Sequence, residues 1–193
     1  GTLSHEPKMI AAFLFLLSIA IAGPPPPVVL TAAEKATLAK GRVVVRDSGA
    51  SMAVAILDIA APPSAVWAES LNVEPRVEEV GSSTACEIYH RDATSLKVKW
   101  AIGLLGLSAS FHLVYVIDHE AMLMSYSLDE SKDNDIAYAV GSYQVLPHGS
   151  SSRLVYRSEA DPDSKIPSFI RSILVGRSLR QQLGGIKTRA EAR

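Results

Sequence analysis

Cysteine is almost absent from this sequence, which has one, Cys86, in 193 residues. A single cysteine excludes an intramolecular disulfide and any metal site built from clustered cysteines. No motif around it indicates a reactive thiol, so we interpret Cys86 as a small apolar packing residue. Neither sign of charge is in excess, since 19 Lys and Arg face 20 Asp and Glu. A broad nucleic-acid surface is normally basic, and the composition therefore predicts no nucleic-acid partner.

The common catalytic and cofactor motifs are also missing. The sequence contains no G-x-S-x-G segment, no P-loop and no Rossmann fingerprint. Its acidic segment 129–135 lacks the glycine and the terminal glutamate of an EF-hand loop. The histidines outside the N-terminal residues fall on different predicted strands or turns without metal-ligand spacing; they are His90, His112, His119 and His148. The sequence thus predicts no metal, no cofactor and no motif-defined catalytic residue.

An apolar run near the N-terminus has the pattern of an export signal. Lys8 precedes the apolar residues Ile10–Ala22, which end in the small-residue pattern Ala20-Ile21-Ala22. These features predict a signal peptide over residues 1–22 and an exported protein, periplasmic or secreted. The run is shorter than the ~20 residues of a spanning helix, although an uncleaved signal would leave the protein membrane-anchored. Residues 1–8, ahead of Met9, are open to interpretation as an added stretch or a misassigned start.

A spacer and a short helix are predicted over residues 23–40. The four prolines Pro24–Pro27 favour an extended polyproline II segment. Thr31 and Glu34 form an S/T-x-x-E capping box, which predicts a helix from about Ala32 to Lys40. Gly41 then ends that helix. The remaining residues, 41–193, are predicted to form one domain of a size that supports a sizeable core.

Most of that domain has the apolar/polar alternation of β-strands, and consecutive strands are expected to be antiparallel neighbours. Pro62 and Pro63 predict a short helix to about Leu71, and a long helix over Ile166–Arg189 follows Pro162. The predicted strands are Arg42–Arg46, Met52–Ile59, Val77–Ser83, Ala85–Arg91, Leu96–Ile102, Ser108–Asp118, Met122–Leu128, Ile136–Leu146 and Arg153–Ala160.

The segment Ile59–Trp67 (IAAPPSAVW) resembles the signature that opens the START-like, or helix-grip, superfamily (SRPBCC) of lipid-transfer domains, polyketide cyclases and coenzyme Q-binding proteins. The segments 141–145 and 152–156 and the closing helix agree with it, so the resemblance covers about residues 53–191. It implies an α+β fold in which a curved antiparallel sheet wraps around the C-terminal helix. It also implies an apolar cavity for a lipid, sterol, quinone or polyketide. Residues 72–76 depart from the family, being too few for its usual second helix.

Strand alternation assigns the side chains that would face this cavity. Large side chains with polar tips, together with flexible methionines, suit an apolar ligand of mixed shape. The predicted ligand-binding residues are Trp100, Phe111, Leu113, Tyr115, Met122, Met124, Tyr126, Tyr143, Leu154 and Tyr156 on the sheet, and Phe169, Ile170 and Ile173 on the helix.

Two alternatives stay open. A cyclase- or dehydratase-like enzyme would use the same cavity, with His90, Tyr126 or Tyr156 as its polar group. An interaction domain would instead have these side chains filling a closed core. The sequence favours binding over catalysis and leaves the oligomeric state open.

Two further segments carry functional hypotheses. The connection 102–107 is apolar where hairpin tips are usually polar. Leu104, Leu105 and Leu107 are therefore predicted either to pack over the sheet end or to form a gate that contacts a membrane transiently. Along the closing helix the apolar stripe changes sides. The first half is predicted to cover the cavity and the second half, with Leu179, Leu183 and Ile186, to pack against the opposite sheet margin.

Overall fold

One antiparallel sheet organises the computed structural model, which describes residues 25–47, 52–104, 106–161 and 168–193. Within those residues the strands are β1 (Val44–Asp47), β2 (Met52–Ile59), β3 (Ser83–Arg91), β4 (Ser95–Leu104), β5 (Leu107–Asp118), β6 (Leu123–Leu128), β7 (Tyr138–His148) and β8 (Ser151–Asp161). The helices are α1 (Ala32–Ala39), α2 (Pro63–Leu71), α3 (Arg76–Glu79) and α4 (Ser168–Glu191).

The strand order is β1-β2-β8-β7-β6-β5-β4-β3, with every neighbouring pair antiparallel. Strands β3 to β8 are neighbours in sequence order, as short connections favour. The pairing of β2 with β8 is the long-range one, and it brings the two ends of the domain together. Together with the C-terminal helix α4, this sheet confirms the predicted α+β helix-grip architecture.

The inner face of the sheet carries the main core. Residues two apart on a strand share a face, and the register aligns Tyr115 with Tyr126 and Tyr143 with Tyr156 on this side. The second half of α4 packs here, where Leu179, Leu183 and Ile186 are buried in the same core. Helix α4 contacts α2, α3, β1 and β2. The predicted packing of Leu179, Leu183 and Ile186 against the sheet is therefore present, whereas the prediction that this margin lies opposite the first half of the helix stays a prediction.

Helix α1 lies on the outer face, at the margin formed by β1, β2 and β8. Its one buried side chain, Leu38, packs with Val44, Ile56 and Val155. The predicted capping box is present, since Thr31 N–H donates to Glu34 Oε2 at 2.8 Å and Glu34 N–H to Thr31 Oγ1 at 3.2 Å. The helix therefore begins where the motif predicts and packs outside the main core.

The spacer before α1 is held on the same outer face. Arg157 Nη2 donates to the carbonyl of Pro26 at 2.7 Å, and Arg46 Nη2 donates to that of Val29 at 2.7 Å. Arg46 also pairs with Glu34 at 2.6 Å. These contacts tie residues 26–34 to the sheet, as part of the folded unit.

The prediction of a strand over Val77–Ser83 is wrong, because this segment begins with the helical turn α3. Pro75 lies at its N-cap with φ −61°, and a proline at this point loses no helical hydrogen bond. Arg76 and Val80, four residues apart, are both buried. This packing overrides the strand preference of the valines. A short second helix is thus present after α2, although residues 72–76 alone are too few to form one.

The other boundaries shift by a few residues. Helix α4 runs two residues further than predicted at its C-terminal end, and residues 162–167, which include both prolines before it, lie outside the described part of the chain. The predicted signal peptide, residues 1–22, also lies outside it. Among the helices of the described residues, none has the length and apolar character needed to cross a membrane.

Candidate functional site

The sheet brings most of the predicted ligand-binding residues onto its inner face. Phe111 pairs with Trp100 in register, and Met124 pairs with Tyr143. Phe111 is partly buried against the core. The buried members are Trp100, Leu113, Tyr115, Met124, Tyr126, Tyr143, Leu154 and Tyr156.

Met122 is predicted to begin a strand, but in the structure it lies just before one. Strand β6 begins at Leu123, and Met122 occupies the preceding turn with φ +46°. Its side chain still packs against the core, and its carbonyl accepts from Val145 N–H at 3.0 Å. The residue therefore contributes to the inner wall from the turn.

Four tyrosines form the centre of this wall, contributed by β5, β6, β7 and β8. The ring centroids of Tyr143 and Tyr156 lie 4.6 Å apart, and those of Tyr115 and Tyr126 lie 5.5 Å apart. The hydroxyl oxygens of Tyr126 and Tyr156 are 2.6 Å apart, within hydrogen-bond distance. Trp100 Nε1 donates to the Tyr115 hydroxyl at 3.1 Å. The result is an aromatic surface with polar tips inside an apolar core.

The phenols of the tyrosine wall are neutral at pH 7, and burial raises their pKa further from that pH. Desolvation raises the pKa of Tyr126 well above its ordinary value, and the neighbouring phenol of Tyr156 adds to the effect. Burial likewise raises the pKa of Tyr143, even though the Arg76 cation opposes the shift. At neutral pH the hydroxyls therefore donate and accept hydrogen bonds as neutral groups, a state that suits binding and orientation rather than proton abstraction.

Arg76 is a site residue that the sequence-based predictions missed. It is 2% exposed, on the first turn of α3. Its Nη1 donates to the Tyr143 hydroxyl at 3.1 Å, and its Nη2 donates to the Ser70 carbonyl at 2.7 Å. The guanidinium carbon lies 4.6 Å from the centre of the Tyr143 ring. A cation is thus placed against the tyrosine cluster.

An ionic cluster holds α2 and α3 against the end of α4. Glu69 accepts from Arg189 Nε at 2.8 Å and from Arg193 Nε at 2.6 Å. Arg189 also pairs with Glu79 on α3. Burial raises the pKa of Glu69, but the hydrogen bonds from Arg189 and Arg193 outweigh it, and the net pKa is lowered. This cluster fixes the helical segment that carries Arg76.

The remaining predicted site residues fall outside the described part of the chain. The side chains of Phe169, Ile170 and Ile173 are among them, as are Leu105 and the side chains of Leu104 and Leu107. The backbone shows that Leu104 and Leu107 pair in register. The connection between β4 and β5 is therefore shorter than the predicted loop 102–107, since only residues 105 and 106 lie between the strands.

The histidines do not join the inner wall. His90 is exposed, and its Nε2 lies 2.8 Å from Asp92 Oδ2. The Nδ1 of His119 accepts from Trp67 Nε1 at 3.1 Å, and its Nε2 lies 2.7 Å from the Ala93 carbonyl. Of the three polar groups proposed for a cyclase, only Tyr126 and Tyr156 are therefore on the inner face. In the described part of the chain, no group of three or more His, Cys, Asp or Glu residues is placed to hold a metal ion.

A cavity of about 350 Å³ opens where β5, β6 and β7 meet the loop after β6. Both apolar and polar side chains line it, among them Val114, Ser127, Asp129, Tyr138 and Val140. Its walls come from these strands and the loop after β6, so it is separate from the tyrosine wall.

Comparison with solved structures places this architecture among known folds. A protein from Thermus thermophilus matches with a TM-score of 0.64 at 19% identity, over 73% of this chain and 97% of the other. A STAR-related lipid transfer protein from Xanthomonas axonopodis matches with a TM-score of 0.62 at 13% identity, over 77% and 92%. The Zhui aromatase/cyclase from a Streptomyces species matches with a TM-score of 0.59 at 14% identity, over 78% and 96%.

The chain has the START-like, helix-grip fold. No protein-family model matches the sequence, and comparison with curated proteins gives no match. At these identities the solved structures establish the START-like fold alone. They include a lipid transfer protein and an aromatase/cyclase, so the choice of function depends on the side chains of the inner wall.

Proposed function

We propose that this protein binds an apolar small molecule, such as a lipid, sterol, quinone or polyketide, between the inner face of the sheet and α4. The observation that carries the proposal is the wall of Trp100, Met124 and the four tyrosines on that face. Such a wall offers apolar area together with a few convergent hydroxyls, the usual composition of small-molecule sites. Binding gains about 25 cal/mol for each Å² of apolar surface removed from water.

The helix-grip fold supplies the opposing wall in this proposal. The second half of α4 is packed into the core through Leu179, Leu183 and Ile186. The first half, which carries Phe169, Ile170 and Ile173, is proposed to cover the ligand. Ligand entry is then proposed to involve the β4–β5 connection, with Leu104, Leu105 and Leu107 as a gate and a transient membrane contact.

Native mass spectrometry of the purified full chain tests the binding proposal. We expect a mass increment that organic extraction removes, and the extract then identifies the ligand class. Restoring the extracted lipid should restore the increment. A single protein mass that stays unchanged after incubation with oleate, cholesterol and ubiquinone would instead support the filled-core interaction domain.

The gate is tested by replacing Leu104 and Leu105 with serine. We expect slower ligand uptake from lipid vesicles and weaker vesicle flotation, with the far-ultraviolet circular dichroism unchanged. Ala109→Ser, on the following strand β5, serves as the control because it adds a hydroxyl without removing leucine surface. Equal uptake by the double variant and the control would contradict the gate.

An enzyme is the second candidate, on the basis of the Tyr126–Tyr156 hydroxyl pair and the structural likeness to an aromatase/cyclase. One hydrogen of the pair is used in their mutual hydrogen bond, and in this candidate the other phenol donates its hydrogen to a carbonyl oxygen of the substrate and orients it. Conversion of a polyketide-like substrate by the wild type, lost in Tyr126→Phe, would favour this candidate. Binding without turnover would favour a carrier.

We also propose that the protein is exported, on the basis of the apolar run 10–22 and its A-x-A ending. The folded residues then act in the periplasm or outside the cell. Recovery from a bacterial periplasm with an N-terminus at Gly23 is the expected result. Full-length protein recovered from the membrane fraction would indicate an uncleaved anchor instead.

A further inference from the structure

Arg76 is a buried cation whose partners in the structure are neutral. A guanidinium stays charged in proteins, and a buried charge is costly without an opposite charge or a full set of hydrogen bonds. Arg76 donates to the Tyr143 hydroxyl and the Ser70 carbonyl, whereas its buried Nε has no hydrogen-bond partner among the described residues. The Tyr143 ring face gives partial electrostatic compensation.

Arg189 on α4 is also partly buried, but its partners are charged. Arg189 forms ion pairs with both Glu69 and Glu79. Among the described residues, no carboxylate forms an ion pair with Arg76. The fold therefore neutralises Arg189 and leaves Arg76 with unused donor capacity next to the tyrosine wall.

The surroundings of Arg76 define the ligand group that fits there. Tyr143 accepts from both Arg76 Nη1 and Gln182 Nε2, which leaves its own hydrogen as a donor. The Nε of Arg76, which has no partner among the described residues, and its Nη2, which donates one of its two hydrogens to Ser70, form the side-on edge, or fork, of the guanidinium. This is the edge that a carboxylate occupies with two oxygens. A sterol hydroxyl or a quinone carbonyl has one oxygen and no charge, so it satisfies this fork less completely.

We propose that the ligand is an amphiphile with an ionised carboxylate, such as a long-chain fatty acid, and that Arg76 binds the carboxylate while the apolar tail lies along the tyrosine wall. The inference rests on the proposed binding function and specifies its ligand class. Arg76 is a binding residue in this proposal, with Tyr143 and Gln182 positioning its guanidinium. The charge also sets the orientation of the ligand, with its head at α3.

The test compares two probes with the same apolar tail, cis-parinaric acid and its methyl ester, by fluorescence titration at neutral pH; the ester replaces the ionised carboxylate by an uncharged group that is one methyl larger. The wild type is expected to bind the acid about ten-fold or more tightly than the ester, since charge-assisted hydrogen bonds are about twice as strong as neutral ones. In Arg76→Gln the affinity for the acid should fall to that for the ester, with ester affinity unchanged. Arg177→Gln, at an exposed position on α4, should bind both probes as the wild type does.

The outcomes separate the inference from the proposed function. Equal binding of acid and ester by the wild type would overturn the carboxylate inference and keep the binding site. Failure of both probes to bind would count against the carboxylate inference and against the proposed binding function. An equal loss of acid and ester binding in Arg76→Gln would assign Arg76 a structural role and overturn the inference. If Arg76→Gln does not fold, Arg76→Lys, which keeps the charge but loses the fork, should retain only part of the acid preference; full retention contradicts the inference.

Discussion

The hydroxyl oxygens of Tyr126 and Tyr156 lie 2.6 Å apart in the interior, on strands that are not neighbours in the sheet. Strand β7 runs between them and carries Gly141 opposite Tyr126. A side chain at position 141 would meet the Tyr126 ring, so the glycine lets the two phenols meet across the intervening strand. The hydrogen bond therefore reports on the packing of three strands at once.

Tyr156→Phe is expected to destabilise the fold by about 1–3 kcal/mol, because it removes the described partner of the buried Tyr126 hydroxyl. Urea unfolding measures this change. The double variant with Tyr126→Phe should lose less than the sum of the two single variants, since both ends of one hydrogen bond are then removed. Tyr138→Phe, on the exposed side of β7, is the control and should be near neutral. Additive losses would contradict the coupling.

Gly141→Ala is expected to cost about 1–3 kcal/mol or more, since the added methyl would meet the Tyr126 ring and the backbone carbonyl of Arg157. Neither neighbour is the end of a flexible side chain, so the steric overlap can be removed only by a movement of the sheet. Gly184→Ala in α4 provides a control of opposite sign. Nothing lies within 4 Å of its added methyl, and alanine favours a helix over glycine by about 1 kcal/mol. Thermal unfolding measures the Tm of both variants. An equal decrease in Tm for Gly141→Ala and Gly184→Ala would contradict this packing.

Alternation along the strands was sufficient to predict the inner wall. The predicted strand Met52–Ile59 coincides with β2. The four tyrosines, one on each of β5 to β8, lie on the face to which the alternation of each strand assigns them. These features are local, because the apolar/polar alternation of an antiparallel strand shows which of its side chains face the core. Helix ends with a capping motif were predictable for the same reason.

Arg76 could not be predicted in this way. An arginine between Pro75 and Val77 has the appearance of a solvated residue, and the valines around it favour a strand. Its burial depends on α3 packing under α4 and on the Tyr143 ring, which lies 67 positions away along the chain. The burial of a charge is a property of the assembled fold, and the only local signal was the proline that begins α3.

Thr31→Ala is expected to destabilise the protein by about 1 kcal/mol, because the Thr31 hydroxyl accepts the hydrogen bond from Glu34 N–H at the start of α1. The same change weakens the position of Glu34, which pairs with Arg46. Thr37→Ala, within the same helix, is the matched control and should be neutral or stabilising. Urea unfolding distinguishes the two, and an equal effect of both would indicate that the cap contributes nothing to packing on the outer face.

Acid is expected to release the cluster around Glu69. The pKa of Glu69 is lowered in the folded state by Arg189 and Arg193, in spite of its burial. Its contribution to stability is therefore present above the unfolded glutamate pKa, ~4.3, and is lost as the pH falls through the lower folded value. Glu69→Gln should lower the free energy of unfolding by about 1–3 kcal/mol at pH 7. The difference in free energy of unfolding between this variant and the wild type should shrink between about pH 5 and about pH 3, the range in which carboxylates become protonated.

Urea unfolding across that pH range measures the effect, with Glu120→Gln as an exposed control whose difference from the wild type should stay small throughout. A Glu69→Gln difference that stays constant from neutral to acid pH would show that the carboxylate charge is not what holds the helices together. If the difference does shrink, loss of the cluster loosens α3 and with it Arg76.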